Sequence, residues 1–309
     1  MGSYRYEILR ETTTDSLIME NNTREKKMNS NVYGIDLGTC NMKIYCKTSN
    51  KILNEKNTIA LVKKDQIYAY GDAAYAMYEK APETINVTFP VISGVIADFN
   101  NLQTMLQMYL EEHMKGKIRG AEFIVAVPTD ITDVEKRAFF EMFYKSKLKP
   151  KSVLLCEKPI ADAVGLGLDV NEPTGIMVVD IGADTTEISV ISLGGLVLSD
   201  LLHFGGNRID ESIITYVKRT YNLVIGQKTA QALKEKLGSG ITGNTETMVI
   251  VGRDVVSGLP IEMEITGEVV YEAIKDNLNS ICNSIKMILE KTPPELAKDI
   301  IHSGIYITG

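Results

Sequence analysis

No apolar run in these 309 residues approaches the ~20 needed for a membrane-spanning helix. Basic residues are outnumbered, 33 against 40, and the net charge of −7 argues against a nucleic-acid partner. The four cysteines, Cys40, Cys46, Cys156 and Cys282, form no Cys-x-x-Cys pair and no metal-ligand spacing. Reduced thiols of a cytosolic protein are therefore expected. Three histidines, His113, His203 and His302, are scattered and make no ligand cluster. Residues 1–31 lack an apolar h-region and carry polar TTT, NN and REKK clusters, which excludes a secretory signal in that stretch. They read as a disordered tail. Position 6 is Tyr6 rather than the Ser or Thr of a myristoylation signal. Met28, just before the first strand pattern, is a second candidate start.

What is present is a soluble, globular composition, 44% apolar and 24% charged, long enough for two domains with their own cores. The stretch that organises the chain is Tyr33–Cys46, YGIDLGTCNMKIYC. It reads as an apolar strand, a tight turn at Gly38-Thr39, and a returning strand. Glycine lets the backbone approach a ligand without a Cβ, and successive N–H groups in such a turn form an anion nest. Asp36 at the turn would repel bare phosphate, so its presence there implies a Mg²⁺ bridge, usually through water.

One glycine turn is weak evidence, because hairpins need glycine for structural reasons alone. The chain repeats the pattern. Val178–Val190, VVDIGADTTEISV, places Asp180, Gly182 and Ile188 in register with Asp36, Gly38 and Ile44, and adds the hydroxyls of Thr185 and Thr186. A duplicated domain would set two such hairpins across a cleft, on one phosphate chain.

Around the hairpins, strand and helix patterns alternate. Helices are expected over Asp72–Glu79, Leu102–His113, Ile131–Lys147, Pro159–Leu168, Arg208–Tyr221, Thr229–Leu237 and Glu295–Ile301. A long one carries Ile274, Leu278, Ile281, Ile285 and Ile288 at helical spacing. In Ile131–Lys147 the apolar face comprises Val134, Ala138, Phe139, Met142 and Phe143. Strands are expected at Phe123–Pro128, Val153–Cys156, Gly195–Phe204 and Ile305–Gly309, with a hairpin over Thr247–Ile265. The class is α/β, in two similar halves meeting near Glu172-Pro173.

The segments DLGTCN, NEKNTIA, GVIADF, VPTDITDVEKRA, EKPIADAVGLGL, NEPTGIMVVDIG, TTEISVISLGG, KTPPELAKDII and GIYITG occur in the order of one family. From Val32 to Gly309 the chain resembles MreB, the bacterial actin of the cell-shape system. The resemblance implies an actin-like, duplicated ribonuclease-H-type fold with four subdomains around a nucleotide cleft. Residues 32–155 would be the first lobe, with a small insertion at about 63–88. Residues 156–172 would connect it to the second lobe, 173–309, with an insertion at about 208–267. The resemblance also implies ATP and Mg²⁺ as cofactors, head-to-tail filaments, and partners in cell-wall elongation. It places such a protein in the cytoplasm, on the inner face of the membrane.

By resemblance, the first phosphate loop comprises Asp36, Gly38, Thr39, Cys40 and Asn41, and the second Asp180, Gly182 and Thr185. Asp36 and Asp180 would hold the Mg²⁺ shell. Glu135 and Thr185 would be the water-activating pair. The ribose-side turn maps to Gly206 and Asn207, and the adenine-side helix to Gln231 and Lys234. Thr132-Asp133-Val134-Glu135 is also a capping box, in which the glutamate only satisfies a helix start.

The chain departs from the family in places. The second loop has Ala183 and Asp184 where glycines are usual. Ala183 adds a Cβ, and Asp184 adds a negative charge close to phosphate; like charges ~4 Å apart cost ~1 kcal/mol in water and more in a dry cleft. Cys40 and Met42 replace Ala and Thr, Asn207-Arg208 replaces acids, and Gln231 replaces Glu. Lys43 stands where actin carries a phosphate-binding lysine, so it is expected to offset Asp184; a lysine pointing to solvent is the plain alternative. Gly309 is the first glycine of the family's adenine loop, and the rest of that loop lies past the last residue. Between the Leu102–His113 helix and the next strand, Met114 and Ile118 are candidate membrane-insertion residues. Lys115, Lys117 and Arg119 would attract anionic lipid at ~1 kcal/mol each.

Two further readings stay open. One is a scaffold of this fold with weak or no hydrolysis. The other is an Hsp70-like ATPase or small-molecule kinase, which shares only the fold.

Overall fold

The computed structural model describes residues 31–63, 66–114 and 118–309. The chain divides into two compact units. The first comprises the residues through Met77 and Pro82–Ala161; the second comprises Tyr78–Ala81 and Asp162–Gly309.

In chain order the first half runs β1 (Val32–Leu37), β2 (Asn41–Cys46), β3 (Lys51–Lys56), β4 (Ile59–Val62), β5 (Gln66–Tyr70), α1 (Asp72–Met77) and β6 (Ile85–Thr88). It continues through β7 (Val91–Ile92), β8 (Val95–Ile96), α2 (Phe99–His113), β9 (Glu122–Val127), α3 (Asp133–Tyr144), β10 (Ser152–Glu157) and α4 (Lys158–Gly165). The unit boundary falls inside α4 rather than at Glu172-Pro173. The second half runs β11 (Ile176–Ile181), β12 (Thr186–Ser192), β13 (Gly195–Leu202), α5 (Gly206–Tyr221), β14 (Leu223–Val224) and α6 (Gln227–Leu237). It ends with β15 (Thr247–Asp254), β16 (Pro260–Thr266), α7 (Gly267–Lys291), α8 (Pro294–Ser303) and β17 (Ile305–Thr308).

The duplication seen in the motifs is a duplication of sheet topology. In the first unit the order is β10-β9-β1-β2-β3, with β1 antiparallel to β2 and parallel to β9. In the second it is β13-β12-β11-β17, with β11 antiparallel to β12 and parallel to β17. Each hairpin thus opens its unit, and a helical crossover returns a parallel strand beside its first strand.

Alternation explains β1 and β2: Tyr33, Ile35, Leu37, Met42, Ile44 and Cys46 are all buried, one face of a half-buried pair. In β11 and β12, by contrast, nearly every residue is buried on both faces. The first core stacks Tyr33 on Phe123 at 5.5 Å and packs Phe123 against Phe143 at 5.1 Å. Phe123 is fully buried, so Phe123→Ala is expected to cost about 3–5 kcal/mol in denaturant unfolding. A loss below 1 kcal/mol would mean that the aromatic stack is not the keystone of this unit.

Within the stretch 208–267, α5, α6 and the β14-β15-β16 sheet close over a core of their own, with Ile213, Val217, Leu233 and Ile265 fully buried. One expected core residue is displaced. Val134 is 78% exposed, because it belongs to the first turn of α3, ahead of the part that reaches Phe139, Met142 and Phe143. The proposed tail ends one residue early: Asn31 is buried, and its side-chain oxygen accepts from Thr48 Oγ1 at 2.7 Å. The rest of 1–31 lies outside the described residues. Among those described, no helix is long and apolar enough to cross a membrane.

Candidate functional site: two acid-bearing hairpins

In the first unit, the β1–β2 register pairs Asp36 with Lys43. Their side chains meet, Lys43 Nζ lying 3.4 Å from Asp36 Oδ2. The observed partner of Lys43 within its unit is therefore its own cross-strand carboxylate. A half-exposed pair of this kind contributes at most about 1 kcal/mol.

The turn between the strands is braced from outside. Asn57 Nδ2 donates to Gly38 O at 2.8 Å, and Asn57 N donates to Cys40 O at 2.8 Å. A Cβ on Gly38 would stand 2.8 Å from Asn41 O, so glycine is required sterically. Thr39 Oγ1 accepts from Gly94 N at 3.4 Å. Lys56 Nζ donates to Cys40 Sγ at 3.2 Å and lies 4.9 Å from the Tyr75 ring centre. Neither partner of this ammonium is an anion. Asn41 Oδ1 and Asn57 Oδ1 are buried with no hydrogen-bond partner, each costing about 1–3 kcal/mol until a donor arrives.

Glu135, in the same unit, sits at the third position of α3 and closes a capping box. Its Oε2 accepts from Thr132 N and from Thr132 Oγ1, both at 2.7 Å. The carboxylate thus performs the structural role that the local motif offers.

The second unit gathers more of the expected residues. Asp180 and its cross-strand neighbour Glu187 are both 3% exposed. Gly182 N donates to Thr185 O at 2.8 Å, closing the turn. The ribose-side turn is fastened onto this loop: Gly206 N donates to Gly182 O at 2.9 Å and Asn207 N to Ala183 O at 2.8 Å. The Gly206 and Asn207 N–H groups thus tie the ribose-side turn to the carbonyls of the second loop. A Cβ on Gly205 would lie 2.5 Å from Gly182 O and 2.6 Å from Ala183 O, which explains the first of the two glycines. Two departures from the family meet here. Asn207 Nδ2 donates to Asp184 Oδ1 at 2.7 Å, so the added carboxylate is bound by the amide that replaces an acid.

Lys234 reaches the same place from α6. Its Nζ donates to Gly206 O at 2.9 Å and lies 2.8 Å from Asp210 Oδ1. Asp210 is 2% exposed; burial pushes its carboxyl above the usual range, and Lys234 pulls it part of the way back. Sequence reasoning missed Asp210, Asn57 and Lys56. Asp210 was within reach of spacing, four residues after Gly206 on α5; the other two carried no local signal. Gln231, one turn before Lys234, donates to Glu235 Oε1 at 2.8 Å. Gly309 has φ +145°, and a Cβ there would stand 2.1 Å from Ile181 O.

Of the proposed insertion residues, Met114 is buried and Ile118 is partly buried. Met114 is 3% exposed in the first core, and Ile118 packs against that core. The helix end turns Met114 inward as its cap, so hydrophobicity there serves packing. Lys115 and Lys117 lie outside the described residues.

The MreB/Mbl protein family model matches residues 30–309. Cell shape-determining protein MreB of Escherichia coli is 39% identical over 291 residues, 91% of this chain and 83% of that protein. Cell shape-determining protein Mbl of Bacillus subtilis is 39% identical over 279 residues, 89% of this chain and 83% of that protein. The crystal structure of MreB 5 of Spiroplasma citri bound to AMPPNP superposes with a TM-score of 0.86 at 33% identity, covering 91% of this chain and 85% of that one. With its duplicated hairpin sheets, the chain belongs to the MreB/Mbl family of actin-like cell shape-determining proteins.

Proposed function

We propose that this chain binds MgATP through both hairpins and hydrolyses it while assembling head-to-tail into filaments. The observation that carries the reading is the repeat of an acid, a glycine in a crowded turn and a brace on that turn, on two sheets of one topology. The AMPPNP held by the Spiroplasma citri relative supports it, as do the unpartnered acceptors of Asn41 and Asn57, which suit donors such as metal-bound water.

In this reading Asp36 and Asp180 hold Mg²⁺ through water, and Mg²⁺ supplies neutralisation of phosphate charge. The backbone at Gly38, Thr39 and Cys40, and at Gly182, Ala183 and Thr185, lies along the phosphates. Lys56 supplies a cation beside the first turn. Gly206, Asn207, Gln231 and Lys234 face the nucleoside, and Asp210 positions Lys234. Glu135 orients the attacking water and takes its proton, with Thr185 assisting. Filament contacts are heterologous and do not close into a ring. The protein works in the cytoplasm at the inner membrane face with the wall-elongation machinery; lipid attraction there rests on the charges of Lys115, Lys117 and Arg119.

The carboxylate of Asp184, fixed within the second loop, favours a second reading, a filament scaffold that binds nucleotide and turns it over weakly. Phosphate release and light scattering with MgATP separate the two. Release that rises with scattering supports the ATPase; scattering without release supports the scaffold; neither signal, with no nucleotide bound, overturns both. Lys56→Gln is expected to weaken MgATP binding about tenfold, the loss of one charge-assisted contact.

A further inference from the structure

Beside the first hairpin, between β3, β5, α1 and α2, the first unit carries a cleft of about 520 Å³ whose lining includes Glu55, Tyr68, Tyr70, Asp72, Tyr109 and His113. That volume suits a small organic ligand. Its acids are bonded but not neutralised. Glu55 Oε2 accepts from Asp72 N at 3.4 Å, and Asp72 Oδ1 accepts from Lys56 N at 3.2 Å. Both donors are backbone amides, and neither carboxylate has an ion pair with Lys or Arg among the described residues. A third carboxylate, Glu112, accepts from Tyr70 OH.

The aromatic side of the cleft is preformed. Tyr70 and Tyr109 meet edge to face at 5.0 Å, and Tyr109 is fixed by its hydroxyl donating to Lys56 O at 3.2 Å. Burial, then Glu112 and Glu55, push the Tyr70 hydroxyl up to about 12. Burial, Glu55, Tyr70 and Asp72 push Tyr109 up as well. Burial comes first in both shifts, and the neighbouring carboxylates add to it. Tyr68, which also lines the cleft, is 58% exposed.

We infer that this cleft is a binding site for an organic cation, a guanidinium or ammonium on an alkyl body. Glu55 and Asp72 take the charged head, and the faces of Tyr68 and Tyr70 take the body. A bare phosphate is disfavoured by the two carboxylates. A bare metal ion is disfavoured, because no described group of three His, Cys, Asp or Glu side chains could hold one, and the tyrosine walls would be wasted on it. Cation–π contact adds to charge pairing when both are partly dry. The site is separate from the nucleotide reading and stands if that reading fails.

Agmatine serves as the free-amine probe and N-acetyl-arginine amide as the protein-side-chain probe, with N-acetyl-citrulline amide as the neutral control. Titration is followed by calorimetry and by tyrosine resonances. Saturable binding of agmatine is expected, weakened about tenfold by Glu55→Gln and by Tyr68→Ala, an exposed position that leaves the fold intact. Binding of both cations assigns the cleft to an arginine of a partner protein as well; agmatine alone assigns it to a free amine. Binding of neither, equal binding of citrulline, or unchanged affinity in both variants overturns the assignment.

Discussion

Glu135→Gln is expected to slow phosphate release about 10²–10⁴-fold while MgATP binding persists. The isostere is chosen because the cap that Glu135 makes has to be kept while its proposed role on water is removed. Its Oε2 bonds Thr132 N and Thr132 Oγ1, and a glutamine at this position of a capping box accepts the same bonds. What glutamine cannot do is take a proton from water. It also forfeits a negative charge at a helix N-terminus, about 0.3–1 kcal/mol. Glu135→Ala removes the cap as well and is expected to lose about 1 kcal/mol more in stability. Stopped-flow phosphate release and thermal melts of the two variants separate the tasks. Wild-type turnover in Glu135→Gln would leave the residue as a cap only.

Lys234→Met is expected to destabilise the protein by about 3–5 kcal/mol at neutral pH, since it strands Asp210 as a buried, unpaired charge. The pH dependence has a definite sign. Burial already raises Asp210 in the folded protein, with Lys234 acting against it; losing Lys234 raises it further. A group raised on folding contributes most when protonated, and its contribution is lost as pH climbs through the folded value. The deficit of Lys234→Met is therefore largest at neutral pH and shrinks as pH falls through the raised value of Asp210. Adding Asp210→Asn should recover much of the loss, because removing both charges avoids the stranded one. Melts of the three proteins from pH 7 to pH 4 test this. A deficit that ignores pH, or a double variant no better than the single, would mean that Asp210 is not charged in the native protein.

Both variants also bear on MgATP. Lys234 is held by Gly206 O and Asp210 on the turn that fastens the second loop, so its loss should weaken nucleotide binding even under acidic conditions that restore stability. Glu135→Gln should not. That contrast separates a residue that shapes the binding surface from one that acts on water.

The elements with strong periodicity were readable residue by residue. Alternation in YGIDL and NMKIYC is the burial pattern of β1 and β2, and the isoleucine spacing from Ile274 to Ile288 is the buried stripe of α7. The repeat of acid and glycine was visible because both hairpins obey the same local demand: a tight turn that forbids a Cβ at Gly38 and crowds one at Gly182. Motif order then identified the family, since so many separated segments fall in one sequence. The capping box at Thr132–Glu135 was equally local, four residues making their own bonds.

Tertiary contacts decided the rest. Lys43 meets Asp36 because strand register sets the two opposite each other, and no local rule anticipates which carboxylate lies across a ladder. Met114 looked like an insertion residue because hydrophobicity does not say whether a side chain faces lipid or core. Asn57 and Lys56 brace the first turn from the next strand and beyond, and Asn207 meets Asp184 from another element. Periodicity, glycine sterics and helix caps act over a few residues, so the chain alone carries them. Salt partners, turn braces and the acidity of Asp210 depend on groups brought together from distant positions, and only the folded packing sets them.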